Sequence, residues 1–428
     1  MSATASPEGL IADDVDQLIA ADRISARVYT DEQIYRTELE RIFYRAWICV
    51  GHESEVTKPG DFKRFQIGER PVIVNRDRDH RINVLLNRCR HRAATVCEPA
   101  RGEMANGFTC PYHSWSYALD GRLRGIPYPD GYDEQIDKSA FGLTRLRVET
   151  YGGLVFATFD ENAEPLTEFL GAATTWIDLF NEQAAGYELV VQGEHQFSYR
   201  ANWKIQLENV TDGYHFPLVH RSWMSSVDDE TADMLSFMKD PACVTHALGR
   251  GHSVGIMVPE HVDLGEDDGT EVLQARFADA IAEMAGDLEP ARLRRLARSL
   301  HGAGFNLNIF PNLALSMGFI RLLNPLAVDS TYNAHMVLGY RDAPAPANRE
   351  RLRIHEHFQG PFGFGTPDDA EVWERVQRGA SGDKVLPVML HRGLNRERAT
   401  EWGPTSHITD ETGMRAAYAR WKELMTRD

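Results

Sequence analysis

Apolar and polar positions follow three different periods along the chain, and the changes of period mark its organisation. Over residues 1–45 the apolar positions recur at helical spacing. Ile34, Leu39, Ile42 and Phe43 form a broad stripe, and Thr30 with Gln33 reads as a capping box at its start. From Trp47 to Phe159 the pattern shortens to β-rich runs: Pro71 to Asn75, Ile82 to Leu86 and Leu154 to Phe159. Gly, Asp and Pro turns separate them, as in a small antiparallel domain. Past residue 160 the texture is mixed. It predicts helices over 163–181, 271–285 and 289–300 and strands over 188–200, 305–322 and 331–340. Glu260 to Asp268 reads as a solvated, mobile acidic loop, and Arg341 to Asn348 as a Pro/Ala connector. The organisation expected is an N-terminal helical segment over 1–45, a β module over 46–160 and a larger α+β domain over 161–428.

Composition narrows the class. The chain has 428 residues, 43% of them hydrophobic, which at roughly 150 residues per domain gives two or three domains with real cores. Lys and Arg total 46 against 63 Asp and Glu, a net charge of −17. Such a surface repels phosphate backbones and anionic lipid, so neither nucleic acid nor membrane is an expected partner. No apolar run reaches the ~18 residues that span a bilayer. The N-terminus lacks the basic and apolar regions of an export signal, so a cytoplasmic protein is expected. Five cysteines, an odd number, are then expected to be reduced thiols, and only their spacing can mark a metal site.

Two of them are spaced for one. Cys89-Arg-His91 and Cys110-Pro-Tyr-His113 form two Cys–His pairs with eighteen residues between them. The four donors suit a tetrahedral zinc or a [2Fe–2S] cluster in which two His replace two Cys on one iron. Each pair follows a strand-like segment, and the second continues into Ser114 and Trp115, an aromatic wall that would keep water from a redox centre. The segments NRCRHR and CPYHSW resemble the Rieske cluster domain. The resemblance assigns Cys89 and Cys110 to one iron and His91 and His113 to the other, with a somewhat longer stretch between the pairs than the family usually shows. Cys97 lies within that stretch as a packed thiol, and Cys49 and Cys243 read as core residues.

A second constellation occupies residues 206–220, QLENVTDGYHFPLVH. Residues five apart on an ideal helix point ~140° from each other, so His215 and His220 converge only if Pro217 interrupts the helix. Asp212, three residues before His215, can reach its imidazole. Two His and a carboxylate make the facial triad of non-haem Fe(II) oxygenases.

Together the two constellations resemble the large (α) subunit of Rieske non-haem iron aromatic-ring-hydroxylating oxygenases, over residues 35–425. Glu208-Asn209-Val-Thr-Asp212-Gly-Tyr214-His215 looks most like the benzoate, terephthalate and salicylate branch. The implied fold is a small antiparallel Rieske domain and a larger catalytic domain, an antiparallel sheet surrounded by helices (helix-grip-like). The implied iron ligands are His215, His220 and a downstream acid. Asn209 and Asp212 are the implied catalytic positions, Asp212 bridging the iron histidine to a Rieske histidine of a neighbouring subunit.

The downstream acid comes from Thr366-Pro367-Asp368-Asp369. The family pattern selects Asp369, with Asp368 and Asp212 as alternatives. The same residues also read as a helix start, with Thr366 as cap, Pro367 at the first position, acids favoured by the macrodipole and Val372, Trp373 and Val376 as the apolar stripe.

By resemblance the chain takes electrons from NAD(P)H through a separate reductase or ferredoxin. No dinucleotide fingerprint is visible in it. It adds O₂ to an aromatic ring, most simply as cis-dihydroxylation of an aromatic carboxylic acid, with monohydroxylation or demethylation as alternatives. A homotrimer is implied, with or without a small β subunit. Arg321, in an apolar strand-like run, either anchors a substrate carboxylate, faces outward, or forms a salt bridge to an acid. Phe305, Leu307, Ile309 and Leu313 serve either as pocket lining or as core. The competing classes are a Rieske electron-transfer protein without a second iron and a zinc-stabilised interaction protein.

Overall fold

The computed structural model describes residues 12–132, 136–227, 237–262, 277–286, 288–300, 302–316 and 318–427. They fall into two compact units, one over Phe43–Leu166 and one formed by the described residues up to Ile42 and from Thr167 onward.

The smaller unit is built of short antiparallel strands. Its strands are β1 (Ile48–His52), β2 (Asp61–Ile67), β3 (Arg70–Arg76), β4 (Ile82–Leu86), β5 (Arg101–Glu103), β6 (Phe108–Thr109), β7 (Ser116–Tyr117), β8 (Leu123–Gly125), β9 (Arg147–Tyr151) and β10 (Leu154–Thr158). Three sheets result, in the orders β4-β3-β2-β5, β9-β10-β1 and β6-β7-β8. Phe62, Ile73, Leu85, Phe108, Trp115 and Tyr117 pack with Cys89, Cys97 and Cys110 into one buried cluster. Burial of this core sets the strands, and the loops between them carry the thiols.

The larger unit is organised on one antiparallel sheet. Its strands are β11 (Leu189–Tyr199), β12 (Val244–Ala247), β13 (Ser253–Ile256), β14 (Phe305–Ile309), β15 (Leu313–Ser316), β16 (Phe319–Ala327), β17 (Ser330–Tyr340), β18 (Arg398–Ala399) and β19 (Pro404–His407). Their order is β11-β17-β16-β15-β14-β13-β12-β19-β18. The expected strand over 305–322 is thus three strands, and Pro311, with no N–H to continue a ladder, lies at the first break. Asn308, Ala314, Arg321, His335 and His195 stand directly opposite one another on five neighbouring strands. Directly opposed residues share a face, so these five form one rung on one side of the sheet. Phe305, Leu307 and Ile309 have the other parity on β14, and Leu313 pairs with Ile309. They are core, not pocket lining: Phe305 meets Trp176 on the far face, ring centroids 5.1 Å apart.

The main helices are α1 (Glu32–Glu38), α2 (Trp203–Asn209), α3 (Phe216–Val219), α4 (Ala345–Phe358), α5 (Gly365–Gly382) and α6 (Thr412–Thr426). Several boundaries differ from the sequence expectation. Asp31, not Thr30, caps α1, accepting from the backbone N–H of Gln33 (2.9 Å) and Ile34 (3.4 Å). Thr30 ends a short preceding helix, its hydroxyl donating to the Ala26 carbonyl. The N-terminal segment also holds a strand, Arg23–Ser25, paired with Pro387–Met389. Residues 163–181 form two helices, Leu166–Leu170 and Ala173–Glu182. The connector expected over 341–348 is half helix, since Pro346 fits the first turn of α4, where no N–H is needed. Pro259–Val262 is helical, and the rest of the acidic loop, residues 263–268, lies outside the described residues, as does 271–276. No helix among the described residues is long and apolar enough to cross a membrane.

Three of these helices meet at Glu38. Its carboxylate, fully buried, accepts from Trp203 Nε1 (2.9 Å), Trp421 Nε1 (2.7 Å) and the Lys204 ammonium. Burial pulls the Lys204 ammonium below its ordinary pKa, and the Glu38 charge opposes that shift. Removing one partner of such a pair leaves a buried charge uncompensated, which costs about 3–5 kcal/mol. Glu38→Ala should therefore lower the unfolding midpoint of the larger unit by a corresponding amount in denaturant titration. A change under about 1 kcal/mol would show that the pair contributes no more than an exposed one.

Candidate metal centres and active-site cavity

The two Cys–His loops of the smaller unit are copies of one turn. The Cys89 carbonyl accepts from Ala93 N (3.1 Å) and its N–H donates to Ala94 O (2.8 Å). The Cys110 carbonyl accepts from Ser114 N (3.0 Å) and its N–H donates to Trp115 O (2.8 Å). Ala93 (φ 62°) and Ser114 (φ 57°), four residues after each Cys, both take the left-handed conformation that closes the turn. Asn87 pins the first loop, accepting from the N–H of Val96 and Cys97 and donating to the Cys97 carbonyl. The loops bring the His91 and His113 rings to 4.5 Å, with Trp115 stacked on His91.

The donor chemistry fits a cluster better than a single ion. Among the described residues, the donor sets compact enough for one ion contain none of these four side chains. Tetrahedral zinc would draw them together. Cys89 and Cys110 are buried free thiols, and the buried Nδ1 of His91 has no hydrogen-bond partner. Tyr117 Oη lies 3.2 Å from Cys89 Sγ, where a hydrogen bond to sulfur tunes a cluster's potential. Cys97, Cys49 and Cys243 are buried packing residues, as expected.

In the larger unit, Asn202 caps α2 through its side chain, which accepts from Lys204 N (3.1 Å), and α2 ends at Asn209. The chain turns at residues 210–214 and enters α3 directly after His215. Pro217 does not interrupt that helix, because it occupies the first turn. The turn back comes at His220 (φ −94°, ψ 23°), and the two rings stand 5.5 Å apart. Both Nε2 atoms face one carboxylate oxygen: Asp369 Oδ1 lies 3.4 Å from His215 Nε2 and 3.2 Å from His220 Nε2. These three donors lie within 4.8 Å of one another. Asp368 is partly exposed and 3.8 Å from His220 Nδ1. Asp212 takes the other side of His215, Oδ2 being 3.3 Å from Nδ1. Asn209 Nδ2 stands 3.0 Å from His215 Nε2 and 3.4 Å from Asp369 Oδ1.

Thr366 is not the cap of α5. The helix starts at Gly365, and the Thr366 hydroxyl donates instead to Gln359 Oε1 (2.8 Å). The buried face of α5 runs through Asp369, Trp373 and Gln377, which turns Val372 and Val376 outward. Burial alone would raise the Asp369 carboxyl, yet the hydrogen bonds from His215 and His220 hold it well below its ordinary range. Burial works against a charged His215, but Asp212 and then Asp369 outweigh it and push the imidazole up to about 10.

The trio opens onto a cavity walled by Phe216, Trp223, Met257 and Phe358 and edged by Asn306, Ser316 and Arg321. Arg321 is neither outward-facing nor ion-paired with any described acid. It is 5% exposed, and Nη2 donates to Gln359 Oε1 (3.1 Å) while Nε has no partner. Burial lowers its pKa, and the charge of Asp369 opposes that. Gln359 escaped sequence reasoning because no motif marks a residue that holds an arginine from another element.

Comparison with known proteins follows the same division. Residues 46–151 match the family described as Rieske [2Fe-2S] domain, and residues 187–427 that described as ring hydroxylating alpha subunit (catalytic domain). The chain is 33% identical over 422 residues to the large oxygenase component of salicylate 5-hydroxylase from a Ralstonia species, covering 95% of each. It is 32% identical over 410 residues to the large subunit of anthranilate 1,2-dioxygenase from Acinetobacter baylyi, covering 91% of this chain and 83% of that one. The crystal structure of naphthalene 1,2-dioxygenase from a Rhodococcus species, bound to indole, has a TM-score of 0.77 at 27% identity over 94% of each chain.

The geometry separates the roles of the two acids beside His215. Asp369→Ala should abolish iron binding at the trio and leave the cluster's absorption spectrum unchanged. Asp212→Asn should retain both. Metal analysis beside the visible spectrum reads both outcomes, and full iron retention in Asp369→Ala would remove that residue from the ligand set.

Proposed function

The chain belongs to the family of ring-hydroxylating oxygenase α subunits, with their Rieske and catalytic domains, and from that membership we propose that it is the terminal oxygenase for an aromatic carboxylic acid. Its cofactors are those of the family, a Rieske [2Fe–2S] cluster and a mononuclear iron, with O₂ as co-substrate. When bound, the cluster supplies electrons singly and the iron activates O₂. Cys89, His91, Cys110 and His113 would hold the first, and His215, His220 and Asp369 the second.

The observation that carries the substrate class is Arg321. A guanidinium buried in the cavity is held by a neutral amide, and among the described residues it forms no ion pair and its Nε has no partner. A carboxylate on the substrate supplies one, through a charge-assisted and potentially bidentate contact. Relatives alone do not choose: salicylate and anthranilate are ring acids, whereas naphthalene is not. The aromatic ring then lies against Phe216 and Phe358, whose apolar surfaces exclude water. Asp212 fixes the tautomer of His215, leaving Nε2 free for metal.

Electrons reach the cluster from NAD(P)H through a separate reductase or ferredoxin. Asp212 also bridges His215 to a cluster histidine of a neighbouring subunit, in a cytoplasmic homotrimer with or without a small β subunit. Asp212→Asn, with both centres loaded, should then transfer electrons between them far more slowly than the parent.

Two measurements test the reading. Arg321→Leu should lower kcat/KM for a benzoate-type acid by roughly 10- to 150-fold, the equivalent of losing about 1.5–3 kcal/mol of charged hydrogen bonding. Turnover of a neutral ring should change little. Equal losses on acid and neutral ring would overturn the carboxylate assignment. Labelled O₂ fixes the reaction type: both labelled oxygens in one product mean dihydroxylation, and one means monohydroxylation.

A further inference from the structure

The rung that carries Arg321 continues across the sheet to His335 on β17 and His195 on the outermost strand, β11. Helix α4 supplies His355 and Glu356 to the same place. His195 Nε2 lies 2.6 Å from Glu356 Oε1, and the His195 and His355 rings stack 5.6 Å apart, parallel within 4°. One donor atom from each of His195, His355 and Glu356 lies within 4.8 Å of the others. None of the three belongs to the iron trio.

An independent observation points to an occupant. His355 is only 6% exposed, yet neither of its ring nitrogens has a hydrogen-bond partner among the described residues. Behind it, the fully buried Asn333 has an Oδ1 with no partner among the described residues, while its Nδ2 lies 3.2 Å from His335 Nε2. Buried polar atoms are ordinarily paired, and the two unpaired ring nitrogens of His355 call for a partner of their own.

We propose that His195, His355 and Glu356 form a second metal site, for a divalent ion of the zinc type. Two imidazoles and one carboxylate are a zinc donor set that leaves a fourth position for water. Burial, then the charges of Arg321 and Arg351, push the His355 imidazole down to about 3, which keeps it neutral and able to ligate at physiological pH. His195 is partly exposed and Glu356 exposed, so the ion enters from solvent. The site also has a structural reach. The His355 carbonyl accepts from Gln359 N (2.7 Å), and the Gln359 side chain holds Arg321 and Thr366. A bound ion therefore anchors the helix end that sets the guanidinium in the cavity.

The test uses protein carrying both its cluster and its mononuclear iron. It is equilibrated with zinc, desalted, and assayed for zinc and iron in the same sample. The expected result is one zinc per chain in the parent with iron unchanged, and loss of that zinc in both H195Q and E356Q. X-ray absorption at the zinc edge should show two imidazole ligands. Both variants alter partly exposed side chains, and the cluster spectrum checks that they fold. Zinc that does not bind, that binds both variants as well as the parent, or that enters only by displacing iron overturns the proposal. A cluster satisfied by water alone gives the first of these results.

Discussion

Burying Glu38 is the constraint from which much of the larger unit follows. A carboxylate without water needs donors, and it finds them on α2 and α6. The N-terminal segment, the middle of the chain and its last helix are thereby tied to one another across most of the sequence. Helix α2 receives its direction from this contact, and Asn209 at its end is followed at once by Asp212, His215 and His220. A second acid, Glu208, part-buried near the end of α2, repeats the arrangement. Glu208 accepts from the Tyr29 and Tyr418 hydroxyls, and burial pushes its carboxyl up to about 7 against those hydrogen bonds.

The catalytic half of the sheet is polarised along one rung. Its centre faces the cavity with Arg321, and its outer edge carries His335 and His195. The cationic Arg321 lies close enough to depress both His335 and His355, adding to burial. One positive charge on the cavity wall thus helps to keep the imidazoles of the neighbouring strand and helix uncharged.

Local chemistry was legible where it sat in short contiguous motifs. The two Cys–His pairs and the Asp212–His220 segment were visible because their donors lie within a few residues of each other. Asp369 needed family resemblance, since an acid in the first turn of a helix has a sufficient local explanation. That explanation named Thr366 as the cap, whereas Thr366 turns inward to Gln359, a partner on another element. Register was the least visible property. Phe305 and Asn306 are neighbours in sequence, and nothing local says which faces the core. The His195–His355–Glu356 cluster was missed for the same reason, as a strand pairing and a helix crossing bring together residues 161 apart in sequence.

Strand parity has a consequence for how this enzyme can diversify. Asn306, Ala314, Ser316 and Arg321 reach the cavity only because alternate positions of β14, β15 and β16 face it. A one-residue slip in any of these strands would exchange that strand's cavity side chains for core ones. Length changes there are closed to evolution, while point substitutions at alternate sites are open. Related enzymes that take different rings should therefore keep these strands equal in length and vary at every second residue.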